Sequence, residues 1–121
     1  MHNILIVDDS PTERYYLTEI LVKNGFHVST AENGEQALAL IKTDKPHLIL
    51  MDVVMPGANG FQVTRAIARD PQLLNVPIII CSSKNQETDR IWGLRQGARA
   101  YLVKPVDPQA LLDKIASLDV P

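Results

Sequence analysis

The sequence predicts an α/β fold: a doubly wound, five-stranded parallel sheet in the order 2-1-3-4-5, flanked by five helices. Two observations lead to this prediction. Short apolar runs alternate with longer segments of helical period, the pattern of a parallel sheet built from βαβ units. Three of the runs are apolar throughout, as strands covered on both faces must be. Right-handed crossovers, with ligands expected where the strand order reverses, make 2-1-3-4-5 the economical order.

The predicted strands are five short runs that end at turn signals. They cover residues 3–7, 27–31, 48–51, 77–81 and 100–103. The first, third and fourth runs are the continuously apolar ones, so we place them at the centre of the sheet. The segment 70–76 is predicted to be the only loose connection.

The helix starts carry cap sequences. Ser10 and Glu13 are spaced as a capping box, with Pro11 at the first helical position. Asn33 and Asp107 are predicted to begin two further helices. Gly25 and Gly97 are typical of helix C-terminal glycines. The residues predicted to face the sheet from the three capped helices are Leu17, Ile20, Leu21, Ala37, Leu38, Ile41, Leu111, Leu112 and Ile115.

Length and composition limit the possible functions. The 121 residues predict a single domain, 1–121, without room for a DNA-binding or catalytic output domain. Twelve Lys and Arg against fourteen Asp and Glu give a formal charge of −2, which favours neither nucleic acid nor an anionic membrane as a partner. The sequence shows no signal peptide and no membrane-spanning run, so we expect a cytoplasmic protein. Cys81 stands alone and is predicted to be a small buried hydrophobe.

Acidic residues follow two of the predicted central strands. Asp8 and Asp9 end the first and Asp52 ends the third, so the three carboxylates are expected to crowd at one edge of the sheet. Like charges that close repel one another unless a cation lies between them, and oxygen ligands with phosphate suit Mg²⁺. Ser82 and Lys104 follow the fourth and fifth runs and would bring a hydroxyl and an ammonium group to the same edge.

These motifs resemble those of the response-regulator receiver domain, a CheY-like family with a flavodoxin-like fold, over the whole chain. All four occur in the family's order and at its spacing. They are Ile6-Val7-Asp8-Asp9-Ser10, Met51-Asp52-Val53-Val54-Met55-Pro56-Gly57, Ser82, and Lys104-Pro105.

The resemblance implies a role for each matching residue. Asp52 would be the phosphoryl acceptor, with Ser82, Lys104 and the backbone N–H of Ser83 holding phosphoryl oxygens. The Lys104-Pro105 bond would be cis, and Tyr101 would be the aromatic switch residue. The implied Mg²⁺ ligands are Asp9, Asp52, the main-chain carbonyl of Val54 and, through water, Asp8.

The implied function is that of a stand-alone response regulator. It would take its phosphoryl group from a CheA-like histidine kinase and signal to a downstream protein through the surface of helix 4, strand 5 and helix 5. It would catalyse only its own phosphorylation and dephosphorylation, and so would not be an enzyme in the usual sense. Local similarity is greatest to the single-domain regulators of type IV pilus (twitching motility) chemosensory systems, the PilH-like group.

Several alternatives stay open at this stage. Asp8 and Asp9 could simply end a strand, since Asp8-Asp9-Ser10-Pro11 is also a good helix-start sequence. The chain could also be a phosphate sink or a docking module that is never phosphorylated. A flavodoxin-like redox protein would share the fold but would not place two carboxylates near a flavin phosphate. A haloacid-dehalogenase-type phosphatase would need an acid/base aspartate where Val54 stands. Trp92 is either a packing residue or part of a partner surface.

Overall fold

One parallel sheet forms the centre of the protein. In the computed structural model, which describes residues 2–118, five strands lie in the order β2-β1-β3-β4-β5, and the predicted fold is confirmed. Residues 1 and 119–121, which the sequence analysis places in the same domain, lie outside this range. The strands are β1 (Asn3–Val7), β2 (His27–Ala31), β3 (Leu48–Met51), β4 (Ile78–Ser82) and β5 (Ala100–Val103).

Helices alternate with these strands along the chain. They are α1 (Pro11–Lys23), α2 (Gly34–Thr43), α3 (Gly60–Arg69), α4 (Glu87–Arg95) and α5 (Pro108–Ser117). Leu17 and Leu21 of α1 pack with Leu111 and Ile115 of α5 against one face of the sheet. The other face is covered from α2 and α3 by Ala37, Ile41, Val63 and Ile67. Since β1, β3 and β4 lie between two apolar layers, their continuously apolar sequences are explained.

The paired registers bring the acidic strand ends together. β1 pairs with β3 so that Val7 lies opposite Met51, the residues just before Asp8 and Asp52. The amide of Asp52 donates to the carbonyl of Val7, which extends the ladder by one residue. The carboxyl ends of these neighbouring strands therefore open onto one edge.

Two of the predicted elements were wrong in detail. β4 begins at Ile78 and includes Ser82, one residue later than predicted, because the amide of Lys104 pairs with the Ser82 carbonyl. Segment 70–76 is not loose, because a 3₁₀ turn (Pro71–Leu73) capped by Asp70 buries Leu73 and Val76 in the core.

Side-chain burial differs from the prediction at two positions. Leu38 is 37% exposed, because Ala37 and Ile41 form the buried face of α2. Leu112 is only partly buried, whereas Ile20, although partly buried, packs against the core as predicted.

The capping box of α1 is half formed. The Ser10 hydroxyl accepts from the amide of Glu13 at 3.2 Å, but the amide of Ser10 donates to the Asp8 carboxylate instead of to Glu13. One carboxylate oxygen of Glu13 is therefore buried without a hydrogen-bond partner among residues 2–118.

Other local predictions agree with the structure. Gly25 and Gly97 follow α1 and α4 with positive φ angles of 89° and 115°, as helix C-terminal glycines do. Cys81 is fully buried, and its burial raises the pKa of the thiol to about 12. Trp92 and its neighbour Ile91 are 49% and 40% exposed, so Trp92 does not complete the core.

Candidate functional site

Three carboxylates meet at the carboxyl edge of the sheet. Asp8 and Asp52 are buried and Asp9 is exposed. Each offers an oxygen, and these oxygens lie within 4.8 Å of one another. The site thus consists of oxygen donors crowded closely enough to hold one metal ion.

Every polar group of Asp8 is engaged. Its amide donates to the carbonyl of Ala31 at 3.0 Å, and its Oδ1 accepts from the amide of Ser10 at 3.0 Å. Its Oδ2 accepts from Lys104, and its main-chain carbonyl accepts from Arg14 at 2.9 Å. Asp8 is therefore fixed in the site from the sides of β2, α1 and β5.

A single ammonium group joins two of the carboxylates. Lys104 Nζ lies 2.8 Å from Asp8 Oδ2 and 3.2 Å from Asp52 Oδ1. Burial disfavours the charged ammonium, but the hydrogen bond to Asp8 and the charges of Asp52 and Asp8 outweigh burial and raise the pKa of Lys104. The Lys104-Pro105 peptide bond that follows is cis, as the family resemblance implies.

The surroundings of Asp52 disfavour the charged form of its carboxyl group. Burial and the negative charge of Asp8 raise its pKa above the usual value of 3.8, while Lys104 opposes this rise. A cation placed against Asp52 would favour the ionised form, which is the form that can act as a nucleophile.

The helix after Asp52 approaches it unusually closely. The amide of Gly60 donates to the carbonyl of Val53 at 2.8 Å, and a Cβ on Gly60 would overlap the main-chain carbonyl oxygen of Asp52. Asn59 caps this helix through a complete capping box with Gln62. Asn59-Gly60 is thus a helix start packed on the β3–α3 loop.

Ser82 and Tyr101 meet around one residue of the β4–α4 loop. The buried Ser82 hydroxyl accepts from the amide of Lys84 at 3.1 Å, which leaves its own proton free for another acceptor. Tyr101 packs against the core beside α4, and its hydroxyl donates to the carbonyl of Lys84 at 2.8 Å. Burial raises the pKa of Tyr101, and the neighbouring Ser82 hydroxyl opposes the rise.

The structure brings together Asp8, Asp9, Asp52 and Lys104. Val54 and Ser83 lie in the adjoining loops and are both exposed, so their main-chain roles stay predictions. Sequence reasoning missed Arg14, whose guanidinium contacts the site through a main-chain carbonyl, and the close approach of Gly60. The three histidines lie at the opposite edge, where His47 accepts from the amide of Asn3.

The donor set fits Mg²⁺. Carboxylate oxygens are its preferred protein ligands, and the few carboxylates present leave coordination positions for water and phosphate. The geometry therefore supports a hard divalent cation rather than a soft one.

Comparison with known proteins identifies the family of this chain. The family model for the response regulator receiver domain matches residues 4–116. The chain belongs to the response-regulator receiver family. Membership of this family does not favour the alternative of a docking module that is never phosphorylated.

Curated and solved relatives cover nearly all of this receiver domain. It is 56% identical to protein PilH of Pseudomonas aeruginosa over 95% of both chains. It is 39% identical to the response regulator PleD of Caulobacter vibrioides over 95% of its own length but only 25% of PleD. The chemotaxis protein CheY4 of Vibrio cholerae superposes with a TM-score of 0.91 at 31% identity, over 98% of both chains. A putative response regulator from Chloroflexus aurantiacus gives a TM-score of 0.93 at 32% identity, covering 97% of this chain and 96% of that one.

Within the part of the chain that the structure describes, no helix is both long and apolar enough to cross a membrane.

Proposed function

We propose that this receiver domain accepts a phosphoryl group on Asp52 from the phosphohistidine of a CheA-like histidine kinase, in the cytoplasm and with Mg²⁺ bound. The observation that carries the proposal is the position of the Lys104 ammonium, 2.8 Å from Asp8 and 3.2 Å from Asp52. A partly buried ammonium shared by two carboxylates is placed to contact a phosphoryl group on Asp52.

The chain's own residues supply most of the chemistry. A carboxylate oxygen of Asp52 attacks phosphorus, the phosphorus–nitrogen bond of the donor breaks, and its electron pair stays on the imidazole. Lys104 and the Ser82 hydroxyl then bind two of the phosphoryl oxygens and stabilise the charge that develops on them. Water later hydrolyses the acyl phosphate, so the protein catalyses only its own phosphorylation and dephosphorylation.

Mg²⁺ would be held by Asp9, Asp52 and the carbonyl of Val54, with Asp8 acting through water. When bound, it neutralises the carboxylates and the equatorial phosphoryl oxygens. The cluster of three carboxylate oxygens supports this assignment.

The proposed output is protein contact. A phosphoryl group that accepts a hydrogen bond from the Ser82 hydroxyl would alter the loop at Lys84. Through Tyr101, this change would reach the exposed surface that carries Ile91 and Trp92. Likeness to PilH supports a place in a type IV pilus chemosensory system that controls twitching motility. The same chemistry would serve a phosphate sink, which differs only in having no downstream target.

The test is phosphorylation by acetyl phosphate, read as intact mass. We expect a Mg²⁺-dependent gain of one phosphoryl group in the parent and in Asp113→Asn, an exposed control on α5, and none in Asp52→Asn. Transfer from a phosphorylated CheA-like kinase should be faster still. A parent protein that gains no mass from either donor would contradict the proposal and favour the alternative of a docking module that is never phosphorylated.

A further inference from the structure

Arg14 connects the ends of two strands to the first turns of α1. One guanidinium nitrogen donates to the main-chain carbonyl of Asp8 at 2.9 Å. The other lies 3.4 Å from the carboxylate of Glu32, just after β2. The Arg14 side chain is only 17% exposed, whereas Glu32 is 60% exposed. Glu32 therefore anchors the outer side of a guanidinium whose inner side contacts the site.

The carbonyl that Arg14 binds belongs to the peptide that joins Asp8 to Asp9. Because a peptide unit is planar, fixing this carbonyl also fixes the direction in which the chain enters Asp9. Asp9 is exposed, and the hydrogen bonds that residues 2–118 donate to the site carboxylates go to Asp8 and Asp52, not to Asp9. Its position in the carboxylate cluster thus depends on its main chain.

We propose that Arg14, anchored by Glu32, is a positioning residue that holds the Asp9 carboxylate in place for a divalent cation. The inference rests on the proposed function, since it takes that cation to be Mg²⁺. Arg14 would act through the Asp8-Asp9 peptide and would not itself touch the ion or the phosphoryl group.

Charge and geometry predict opposite effects when Arg14 is replaced. A positive charge near the cluster repels Mg²⁺, so if Arg14 acted by its charge alone, Arg14→Met would bind Mg²⁺ more tightly. If Arg14 positions Asp9, the same substitution weakens binding. Arg14→Lys keeps the charge but cannot bond two acceptors from separate nitrogens of a rigid fork, so only positioning predicts a loss there.

The experiment is calorimetric titration of the full chain with Mg²⁺ alone, without a phosphodonor. We expect Arg14→Met to bind about 10-fold more weakly, in the range typical of groups that orient metal ligands, and Arg14→Lys to bind about 3-fold more weakly or worse. Arg90→Met is the matched control, because among residues 2–118 the Arg90 guanidinium pairs with the exposed Glu87 on α4 alone. The Mg²⁺ affinity of Arg90→Met should equal that of the parent. Circular dichroism confirms that each variant is folded, so that a lower affinity is not a loss of native protein.

The outcomes separate this inference from the proposed function. A parent that binds Mg²⁺, with Arg14→Met equal to it or tighter, overturns the positioning role and leaves the proposed function intact. The same holds if Arg14→Met does not fold and Arg14→Lys binds like the parent. A parent that does not bind Mg²⁺ overturns both the metal assignment and the inference.

Discussion

The Tyr101 hydroxyl donates a 2.8 Å hydrogen bond to the main-chain carbonyl of Lys84. The amide of Lys84 donates to the Ser82 hydroxyl at 3.1 Å. One residue of the β4–α4 loop is therefore held at both main-chain groups, by the hydroxyl of Ser82 on β4 and by the hydroxyl of Tyr101 on β5. This arrangement joins the end of β4 to β5 through the main chain of Lys84.

Replacing Tyr101 by Phe should loosen this loop. The substitution keeps the ring and removes one hydrogen bond to a carbonyl, so we expect a loss of about 1 kcal/mol in the free energy of unfolding. Amide hydrogen exchange at Lys84 should become faster. Urea unfolding measures the first effect, and exchange followed by NMR measures the second.

Tyr16→Phe is the control for this prediction. The Tyr16 hydroxyl also donates to a main-chain carbonyl, that of Val106 at 2.6 Å, but it joins α1 to the start of α5. Tyr16→Phe should cost a similar free energy and leave exchange at Lys84 unchanged. Equal exchange rates in the parent and Tyr101→Phe would show that Tyr101 does not restrain the loop.

Replacing Lys104 by Met should destabilise the protein and strengthen its Mg²⁺ binding. The substitution leaves Asp8 and Asp52 buried without their shared cation, and breaking such a pair costs about 3 kcal/mol. Mg²⁺ no longer competes with the ammonium, so added Mg²⁺ should raise the melting temperature of the variant more than that of the parent. Differential scanning calorimetry with and without Mg²⁺ measures both effects.

Lys42→Met, an exposed change on α2, is the matched control and should show neither effect. A Lys104→Met protein as stable as the parent in the absence of Mg²⁺ would mean that the two carboxylates do not need the ammonium.

The sequence carried enough information for the sheet and for the charged part of the site. Asp8, Asp52 and Lys104 each follow an apolar strand directly, and parallel strands present their carboxyl ends at one edge, so their meeting could be predicted. The one-residue error in β4 has a physical reason as well. Ser82 reads as a polar residue after a strand, yet its carbonyl still pairs with Lys104.

Arg14 and Gly60 could not be assigned in the same way. Arg14 contacts the main chain of Asp8, and main-chain contacts leave no pattern in the side-chain sequence. Gly60 reads as a turn residue, while its requirement comes from the packing of α3 on the Asp52 carbonyl. The half-formed capping box of α1 could not be predicted either. The Asp8 carboxylate, and not that of Glu13, accepts the hydrogen bond from the amide of Ser10.

Replacing Asp52 by Asn should stabilise the protein near pH 7 when Mg²⁺ is absent. The pKa of Asp52 is raised in the folded state, so the carboxyl stabilises the fold while it is protonated. That stabilisation is complete below the usual value of 3.8 and is lost as the pH rises through the folded-state pKa. The gain from Asp52→Asn should therefore shrink as the pH is lowered towards 3.8. Urea unfolding across this range tests the prediction, with Asp113→Asn as control, and a gain independent of pH would contradict it.

Replacing Gly60 by Ala should damage the protein more than the same change at Gly25. Alanine favours a helix over glycine by about 1 kcal/mol, which alone would make Gly60→Ala stabilising. The new Cβ, however, would overlap the main-chain carbonyl oxygen of Asp52, and relieving overlap with backbone costs about 3 kcal/mol. The net effect is a loss of stability, and the substitution moves the main chain of Asp52.

Gly25→Ala meets no atom within 4 Å and suffers only from its positive φ of 89°, at a cost of about 1 kcal/mol. Urea unfolding of the two variants gives their free energies, and the rate of phosphorylation by acetyl phosphate shows which change reaches the site. We expect Gly60→Ala to be slower in this reaction and Gly25→Ala to match the parent. If Gly60→Ala proved as stable and as reactive as Gly25→Ala, the close approach of α3 would not determine the position of Asp52.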